Sequence, residues 1–115
     1  MNLSIKSLYI CVDDMERAIG FYEELFEKKV TEKDNIYSVF DIDGFRFGLF
    51  AYKKTKERHV FGSSCLPSIC TDNIENLKIK ISGKKLCFPL TQIGKNWVAE
   101  FVYSEGNHIE ITAPI

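Results

Sequence analysis

An internal repeat constrains the fold of this chain more than any other sequence feature. The segment ICVDDME at residues 10–16 returns as ICTDNIE at residues 69–75, a spacing of 59 in a chain of 115 residues. Four of the seven paired positions are identical, and both copies place a strand-like segment before Asp-x-x-Glu and a helix-like stretch. Self-similarity at about half the chain length predicts that one structural unit is present twice.

Both copies of the repeat predict the start of a helix. Asp13 is expected to be the first N-cap, and Glu16 completes a capping-box pattern that satisfies free backbone N–H groups. Apolar residues then follow the i, i+3, i+4 spacing of one buried stripe, so this helix is expected to run to about Lys28. Asp72 is the equivalent N-cap in the second half, where a shorter helix is expected to stop at Gly83.

Alternating apolar residues and turn residues predict four strands in each half. The expected strands are about 3–12, 29–33, 36–42 and 45–52 in the first half, and 66–71, 86–90, 97–103 and 108–113 in the second. Asp43-Gly44 favours a tight hairpin turn because a positive φ is readily reached there. About three extra residues in the second half are expected in the loop at 92–96. Each half is thus predicted to be a βαβββ module.

The length of the chain favours one domain. A 13.2 kDa unit buries roughly 65% of its unfolded surface, whereas each half alone would be marginally stable. We therefore expect a single domain over residues 1–115. It would consist of modules at 3–52 and 65–113, joined by a polar connector at 53–64.

Composition and charge exclude several classes of partner. With 45% hydrophobic residues, 27% charged residues and a net charge of −1, the chain lacks the basic excess of nucleic-acid-binding proteins. No apolar run approaches the ~18 residues that span a bilayer, and the pattern of a secretory signal is missing from the N-terminus, so no membrane partner is expected. The four cysteines form no Cys-x-x-Cys pair and are expected to be reduced and mostly packed, in a cytoplasmic protein.

Three segments carry a resemblance to a known family. They are ICVDDMERA at residues 10–18, Phe21-Tyr22 on the first predicted helix, and EGNHIEI at residues 105–111. In order and spacing, they resemble the vicinal oxygen chelate superfamily of glyoxalases, bleomycin-resistance proteins and extradiol dioxygenases, over about residues 3–113. Ser104 stands where the family ending has proline. The resemblance implies an α+β fold in which two tandem βαβββ modules form a curved, cup-shaped mixed sheet with helices outside.

The resemblance also identifies where metal-dependent members hold their ion, on the first and fourth strands of each module. The matching positions here are Ser7, Leu66, Gly48 (alternatively Phe50 or Ala51) and Glu110. Glu110 alone is a carboxylate or imidazole residue, and a catalytic divalent ion normally needs about three protein ligands. We therefore expect no metal cofactor. A divalent metal held by Glu110 and His108, which share a strand face, is the weaker alternative.

Strand parity predicts which side chains line the cup. Leu8 and Ile10 are expected under the first helix, which leaves Tyr9 on the concave side. The candidate ligand-binding residues are Ser7, Tyr9, Gly48, Phe50, Tyr52, Leu66, Trp97, Phe101, Tyr103 and His108. Parity alone leaves open whether the aromatic residues of the first module or those around Phe101 face the cup, and the latter could equally be core.

The resemblance and the predicted cup favour a binding protein. We expect a metal-free binder of a small aromatic or cationic molecule, assembled as a homodimer, in which Glu110 supplies the charge. One alternative is an enzyme resembling glyoxalase, a lyase or isomerase with Glu110 as the catalytic general base. The other alternative is an interaction module without a pocket.

Overall fold

The structure is a computed structural model that describes residues 1–2, 4–55, 66–103 and 105–115. The chain divides into two compact units, Met1–Val60 and Phe61–Ile115. Each unit contains one copy of the sequence repeat, and each has its own mixed sheet and its own helix. The repeat therefore corresponds to a structural division of the chain.

The first unit is a three-stranded mixed sheet with one helix. Its elements in chain order are β1 (Ser7–Cys11), α1 (Met15–Phe26), β2 (Tyr37–Ile42) and β3 (Phe45–Phe50), followed by a 3-10 turn at Tyr52–Lys54. The strand order is β1-β3-β2, with β1 parallel and β2 antiparallel to β3. The β2–β3 turn runs through Asp43 and Gly44, whose φ angles of 51° and 88° confirm the predicted hairpin.

Helix α1 covers one face of this sheet. Its buried residues are Met15, Ala18, Ile19, Tyr22 and Leu25, which confirms the predicted apolar stripe. The ring centroids of Tyr22 and Phe26 lie 5.1 and 5.3 Å from that of Phe47 on β3. These aromatic contacts hold α1 against the sheet and form the core of the unit.

The second unit is a four-stranded mixed sheet with a shorter helix. Its elements are β4 (Ser68–Cys70), α2 (Ile74–Ile81), β5 (Lys85–Ile93), β6 (Asn96–Val102) and β7 (His108–Pro114). The strand order is β4-β7-β6-β5, in which β4 is parallel to β7 and the other pairs are antiparallel. Helix α2 packs on β6 and β7, and Leu77, Phe101, Ile109 and Ile111 are fully buried there.

Both helices begin one residue later than predicted. The N-caps are Asp14 and Asn73, and each side chain accepts a hydrogen bond from the backbone N–H three residues on, at 3.1 and 2.8 Å. The predicted caps Asp13 and Asp72 are therefore wrong, and Asp13 instead forms an ion pair with Lys53 at 2.5 Å. The two caps are still 59 residues apart, so the repeat is preserved.

One predicted strand and one predicted loop differ from the structure. The predicted strand at 29–33 is reduced to one isolated bridge between Glu32 and Val39, so the described first sheet has three strands instead of four. The predicted loop at 92–96 is replaced by a tight turn at Gly94, with a φ of 60°, because β5 continues to Ile93. The extra residues of the second half thus lengthen a hairpin.

The predicted α+β fold of two tandem helix-and-sheet modules is confirmed. Most of the predicted connector at 53–64 lies outside the described residues. Neither α1 nor α2 is long and apolar enough to cross a membrane.

Candidate functional site

The face of the first sheet opposite α1, called here the first open face, carries aromatic and polar side chains. Tyr9 on β1 is paired with Gly48 on β3, and Tyr37 on β2 is paired with Phe50. Residues paired across strands point to the same face of a sheet. The same registers add Ser7, Cys11, Asp41 and Arg46 to this face. Ile10 is buried on the α1 side, as strand parity predicts.

Three aromatic rings form a cluster on the first open face. The ring centroid of Tyr9 lies 5.9 Å from that of Tyr37 and 5.7 Å from that of Phe50, and the Tyr37–Phe50 distance is 6.3 Å. The Tyr9 and Tyr37 residues are 48% and 38% exposed, whereas Phe50 is buried. Phe50 therefore forms the base of the cluster, and the two tyrosines offer ring surface for stacking.

Gly48 makes room for the ring of Tyr37. A Cβ atom at position 48 would collide with the hydroxyl and the ring of Tyr37. Desolvation by burial raises the pKa of Tyr37, and the nearby Arg46 opposes this shift. The hydroxyl is therefore neutral at neutral pH and can donate a hydrogen bond.

Arg46 on this face is held by an ion pair. Its Nη1 atom donates to Glu32 Oε2 at 2.6 Å, and both side chains are about half exposed. The hydrogen bond from Arg46 lowers the pKa of Glu32, and the same pair raises the pKa of Arg46. The guanidinium thus stands at the edge of the aromatic cluster with its charge partly neutralised.

The face of the second sheet opposite α2, called here the second open face, carries carboxylates. Glu100 on β6 is paired with Glu110 on β7, and Glu110 is paired with Ser68 on β4. Ser68 Oγ donates a hydrogen bond to Glu110 Oε1 at 2.9 Å. Glu110, the one carboxylate among the predicted ligand positions, is therefore hydrogen-bonded on the side of the sheet away from α2.

Cys87, Glu100 and His108 form a cluster on the second open face, called here the Cys-Glu-His cluster. One donor atom of each residue lies within 4.8 Å of the other two, a geometry that no other trio of His, Cys, Asp or Glu shares in the described ranges. His108 Nδ1 donates to Glu100 Oε2 at 2.6 Å. Partial desolvation, followed by the charge of Glu100, raises the pKa of Cys87, so the thiol is protonated at neutral pH.

The aromatic residues predicted on β6 lie on the other face of the second sheet. Trp97 is paired with Ala113 and Phe101 with Ile109, and this face packs against α2. Phe101 is fully buried there. The register therefore places Phe50, and not Phe101, on a sheet face that carries no helix of its own unit.

Other predicted residues lie elsewhere. Tyr103 follows β6 and is buried, with its hydroxyl accepting from Asn107 Nδ2 at 3.3 Å. Tyr52 lies in the 3-10 turn and Leu66 precedes β4, and both are partly buried. The expectation of packed thiols is wrong for Cys70 and Cys87, which are exposed free cysteines.

The positions that the resemblance predicts as metal ligands do not form a donor set in this chain. Ser7, Gly48 and Leu66 contribute one hydroxyl and no imidazole or carboxylate, and the alternatives to Gly48 are apolar. The remaining position, Glu110, is bonded to Ser68. One carboxylate does not fit the three-ligand requirement of a catalytic divalent ion.

Two successive α+β units, each with a helix on one face of a mixed sheet, define the class of glyoxalase-like folds. The chain matches the family model of the Glyoxalase/Bleomycin resistance protein/Dioxygenase superfamily over residues 4–114, and it belongs to this superfamily. A comparison with curated proteins finds no match.

Several solved structures have the same fold as this chain. A glyoxalase/bleomycin resistance protein from Albidiferax ferrireducens has a TM-score of 0.80 at 15% identity, covering 96% of this chain and 98% of that one. A glyoxalase/bleomycin resistance protein/dioxygenase family enzyme from Burkholderia phytofirmans has a TM-score of 0.77 at 16% identity, covering 98% and 100%. A lactoylglutathione lyase from Agrobacterium tumefaciens has a TM-score of 0.71 at 14% identity, covering 96% and 92%. At these identities the likeness concerns the fold alone.

Sequence reasoning missed Tyr37, Glu100 and Cys87. Parity offered a signal for Glu100, because pairing across the turn after β6 places it opposite Glu110. Tyr37 is likewise one cross-strand step from Phe50. Cys87 carried no such signal, since it lies at a register shift between Leu86 and Phe88.

Proposed function

We propose that the protein binds a small planar aromatic molecule on the first open face, without a metal at the family's ligand positions. The observation that carries this proposal is the cluster of Tyr9, Tyr37 and Phe50. Stacking on partly exposed tyrosines supplies apolar contact, and the neutral Tyr37 hydroxyl supplies one directional hydrogen bond. Planar rings match such a surface better than branched aliphatic molecules do.

A positive charge on the bound molecule would strengthen the interaction. Tyrosine ring faces attract cations by about 0.5–1 kcal/mol at exposed sites. Arg46 does not reverse this preference, because its charge is partly neutralised by Glu32 at 2.6 Å. We therefore expect cationic aromatic molecules to bind more tightly than anionic ones of the same shape.

Titration of chelator-treated protein with neutral, cationic and anionic forms of one aromatic ring system tests the proposal. Calorimetry and ligand-observed NMR would give the affinities. Replacing Tyr9 by alanine should weaken binding about tenfold, since one aromatic contact contributes roughly 1 kcal/mol or somewhat more.

Phe45→Ala is the matched control. Like Tyr9, Phe45 is a partly exposed aromatic residue of the first sheet. It lies on β3, however, on the same face as Phe47, which packs against α1. Its removal should leave the affinity unchanged. Equal losses in the two variants, or a complete absence of binders in the panel, would contradict the proposal.

The role of Glu110 in recognising the positive charge of a bound molecule stays a prediction. The variant Glu110→Gln removes the charge but keeps an oxygen that can accept the hydrogen bond from Ser68. If Glu110 contributes, this variant loses affinity for cationic molecules and keeps affinity for neutral ones. Product analysis during the same titrations tests the alternative of an enzyme with Glu110 as general base.

Homodimer formation, cytoplasmic location and the alternative of an interaction module also stay predictions from the sequence. Sedimentation equilibrium over a range of protein concentrations tests the oligomeric state. A module that acts only through protein contacts would bind none of the aromatic molecules.

A further inference from the structure

We propose that the Cys-Glu-His cluster on the second open face binds a thiophilic divalent cation such as Zn²⁺. The ligands would be the thiolate of Cys87, a carboxylate oxygen of Glu100 and an imidazole nitrogen of His108. This site is independent of the aromatic binding proposed for the first open face. It also uses none of the positions at which the family resemblance expects a metal.

The three donors come from three adjacent strands, β5, β6 and β7. Strands that share a hydrogen-bonded sheet give their side chains a fixed relative placement, which a metal site requires. Glu100 and His108 are only about one quarter exposed, and their contact of 2.6 Å already brings two donors together. The site therefore does not depend on a loop to assemble it.

The distances are compatible with tetrahedral coordination after small side-chain movements. With metal–ligand bonds of about 2.0–2.3 Å, neighbouring ligand atoms in a tetrahedral site are roughly 3–4 Å apart. The three donor atoms here lie within 4.8 Å of one another. Cys87 has to approach by at most about 1 Å, and Glu100 and His108 have to separate slightly so that the cation replaces the proton between them.

The position of Cys87 makes this approach possible. The β5–β6 register shifts between Leu86 and Phe88, so Cys87 is the additional residue of an irregularity in an edge strand. A bulge changes the direction of a side chain and leaves the additional residue unpaired in the ladder. Cys87 can therefore reorient without breaking the β6–β7 pairing that holds the other two ligands.

The donor set selects the kind of cation. One sulfur, one nitrogen and one oxygen donor suit Zn²⁺ and its probe Co²⁺, whereas Mg²⁺ and Ca²⁺ prefer oxygen ligands only. Binding releases the thiol proton of Cys87 to solvent, and the proton on His108 Nδ1 moves to Nε2 or to solvent. The cation then forms one bond each to sulfur, nitrogen and oxygen. Three protein ligands leave a fourth position for water or a small molecule.

The same residues are a poorer match to a catalytic cysteine. A nucleophilic cysteine needs a lowered pKa or a base that removes its thiol proton. The contact between His108 Nδ1 and Glu100 leaves Nε2 of His108 able to act as a base, but desolvation raises the pKa of Cys87. The negative charge of Glu100 also opposes formation of a free thiolate, whereas it favours a bound cation. The electrostatics of the cluster thus support a metal more than a nucleophile.

Titration of chelator-treated, reduced full-length protein with Co²⁺ tests the site directly. Binding should produce the visible absorption bands of tetrahedral cobalt together with an ultraviolet thiolate-to-cobalt charge-transfer band, at one Co²⁺ per chain. Added Zn²⁺ should displace the cobalt and abolish both. A spectrum without the charge-transfer band would overturn the proposal.

Variants identify the ligands. Cys87→Ser should remove the charge-transfer band, and His108→Ala should weaken binding at least about 100-fold, since even residues that only support a ligand contribute about 10- to 100-fold. The matched control is Cys70→Ser, because Cys70 is also an exposed cysteine of the second sheet but lies outside the cluster. Loss of the band in Cys70→Ser rather than in Cys87→Ser would overturn the assignment.

A measurement on the unaltered protein avoids any dependence on how the variants fold. In the presence of chelator a thiol reagent should modify both Cys70 and Cys87, with Cys87 slowed by its raised pKa, as read by peptide mass spectrometry. Zn²⁺ should slow the modification of Cys87 at least about tenfold and leave Cys70 unaffected. Equal protection of both thiols, or of neither, contradicts the site.

Discussion

At the scale of single residues, Gly48 shows how the absence of a side chain shapes the first open face. Gly48→Ala should displace the Tyr37 ring and lower the free energy of unfolding by about 1 kcal/mol, the lower end of the range for overpacking because Tyr37 is partly exposed. Urea denaturation measures the stability, and near-ultraviolet circular dichroism reports the tyrosine environment.

Gly20→Ala is the control for Gly48→Ala. Gly20 lies inside α1, and a Cβ atom there would meet nothing within 4 Å. Because alanine favours helix over glycine, this change should raise the free energy of unfolding by about 0.5–1 kcal/mol. Opposite signs in the two variants confirm the collision at Gly48, whereas a gain in both would refute it.

Asp34 is expected to make the stability of the first unit depend on pH in the acid range. Its Oδ2 atom accepts hydrogen bonds from the backbone N–H groups of Ile36 and Tyr37 at 2.9 and 3.2 Å, and these bonds hold its pKa below the ordinary value of 3.8. Because the folded-state pKa is the lower one, the stabilisation is fully present above the ordinary pKa and is lost as pH falls through the folded-state pKa.

The expected result is a stability difference that disappears in acid. Asp34→Asn should be less stable than the unaltered protein at about pH 5, and the gap should narrow at about pH 3. Urea midpoints at both pH values measure the gap. A constant gap at both would show that the charge of Asp34 does not contribute.

At the scale of elements, the contact between α1 and its sheet depends on one strand face. Phe47 is buried beneath Tyr22 and Phe26, so Phe47→Ala should lower the free energy of unfolding by about 3–4 kcal/mol. Phe45→Ala, a change two residues earlier on β3, should cost less than about 1 kcal/mol because Phe45 is partly exposed. Denaturant titrations of the two variants measure both losses in the free energy of unfolding. Equal losses would show that α1 does not pack on Phe47.

The sequence predicted the helices and strands well where a residue pattern repeats. It predicted their ends less well where two neighbouring residues are equally able to cap a helix. Asp13 and Asp14 can both cap a helix, and so can Asp72 and Asn73, so composition could not choose between them. The segment at 29–33 has strand-like residues, but its pairing is one bridge long. Local preference could not reveal that limit, since strand length is fixed by tertiary pairing.

The site residues were likewise predictable only where a regular pattern holds. Parity placed Tyr9 and Glu110 on faces away from the helices, because period two is maintained along regular strands. Cys87 escaped prediction because a register shift interrupts that period. The contact between Glu100 and His108 also depends on side-chain rotamers, which a sequence does not specify.

At the scale of the whole molecule, the two units have different spectroscopic probes. Trp97, the single tryptophan of the chain, belongs to the second unit, so tryptophan fluorescence reports on that unit. Helix α1 contributes 12 of the 20 residues in the two α-helices, so far-ultraviolet circular dichroism reports mainly on the first unit. We predict that tryptophan fluorescence and far-ultraviolet circular dichroism will give the same urea midpoint. Each half has 60 residues or fewer and would be marginal alone.

Separate midpoints would show that the units unfold independently and would contradict the predicted single domain over residues 1–115. The isolated segments 1–60 and 61–115 are the matching controls. Neither should show a cooperative transition if the single-domain prediction holds.

The irregular strand β5 has a consequence for solubility. It has one neighbour in its sheet, β6, and it exposes the apolar side chains of Leu86, Phe88 and Ile93. Such an edge could pair with strands of other molecules, but Pro89 offers no backbone N–H, and the β5–β6 register shifts on both sides of Phe88. The distortion that places Cys87 beside Glu100 and His108 therefore also protects the protein against edge-to-edge aggregation.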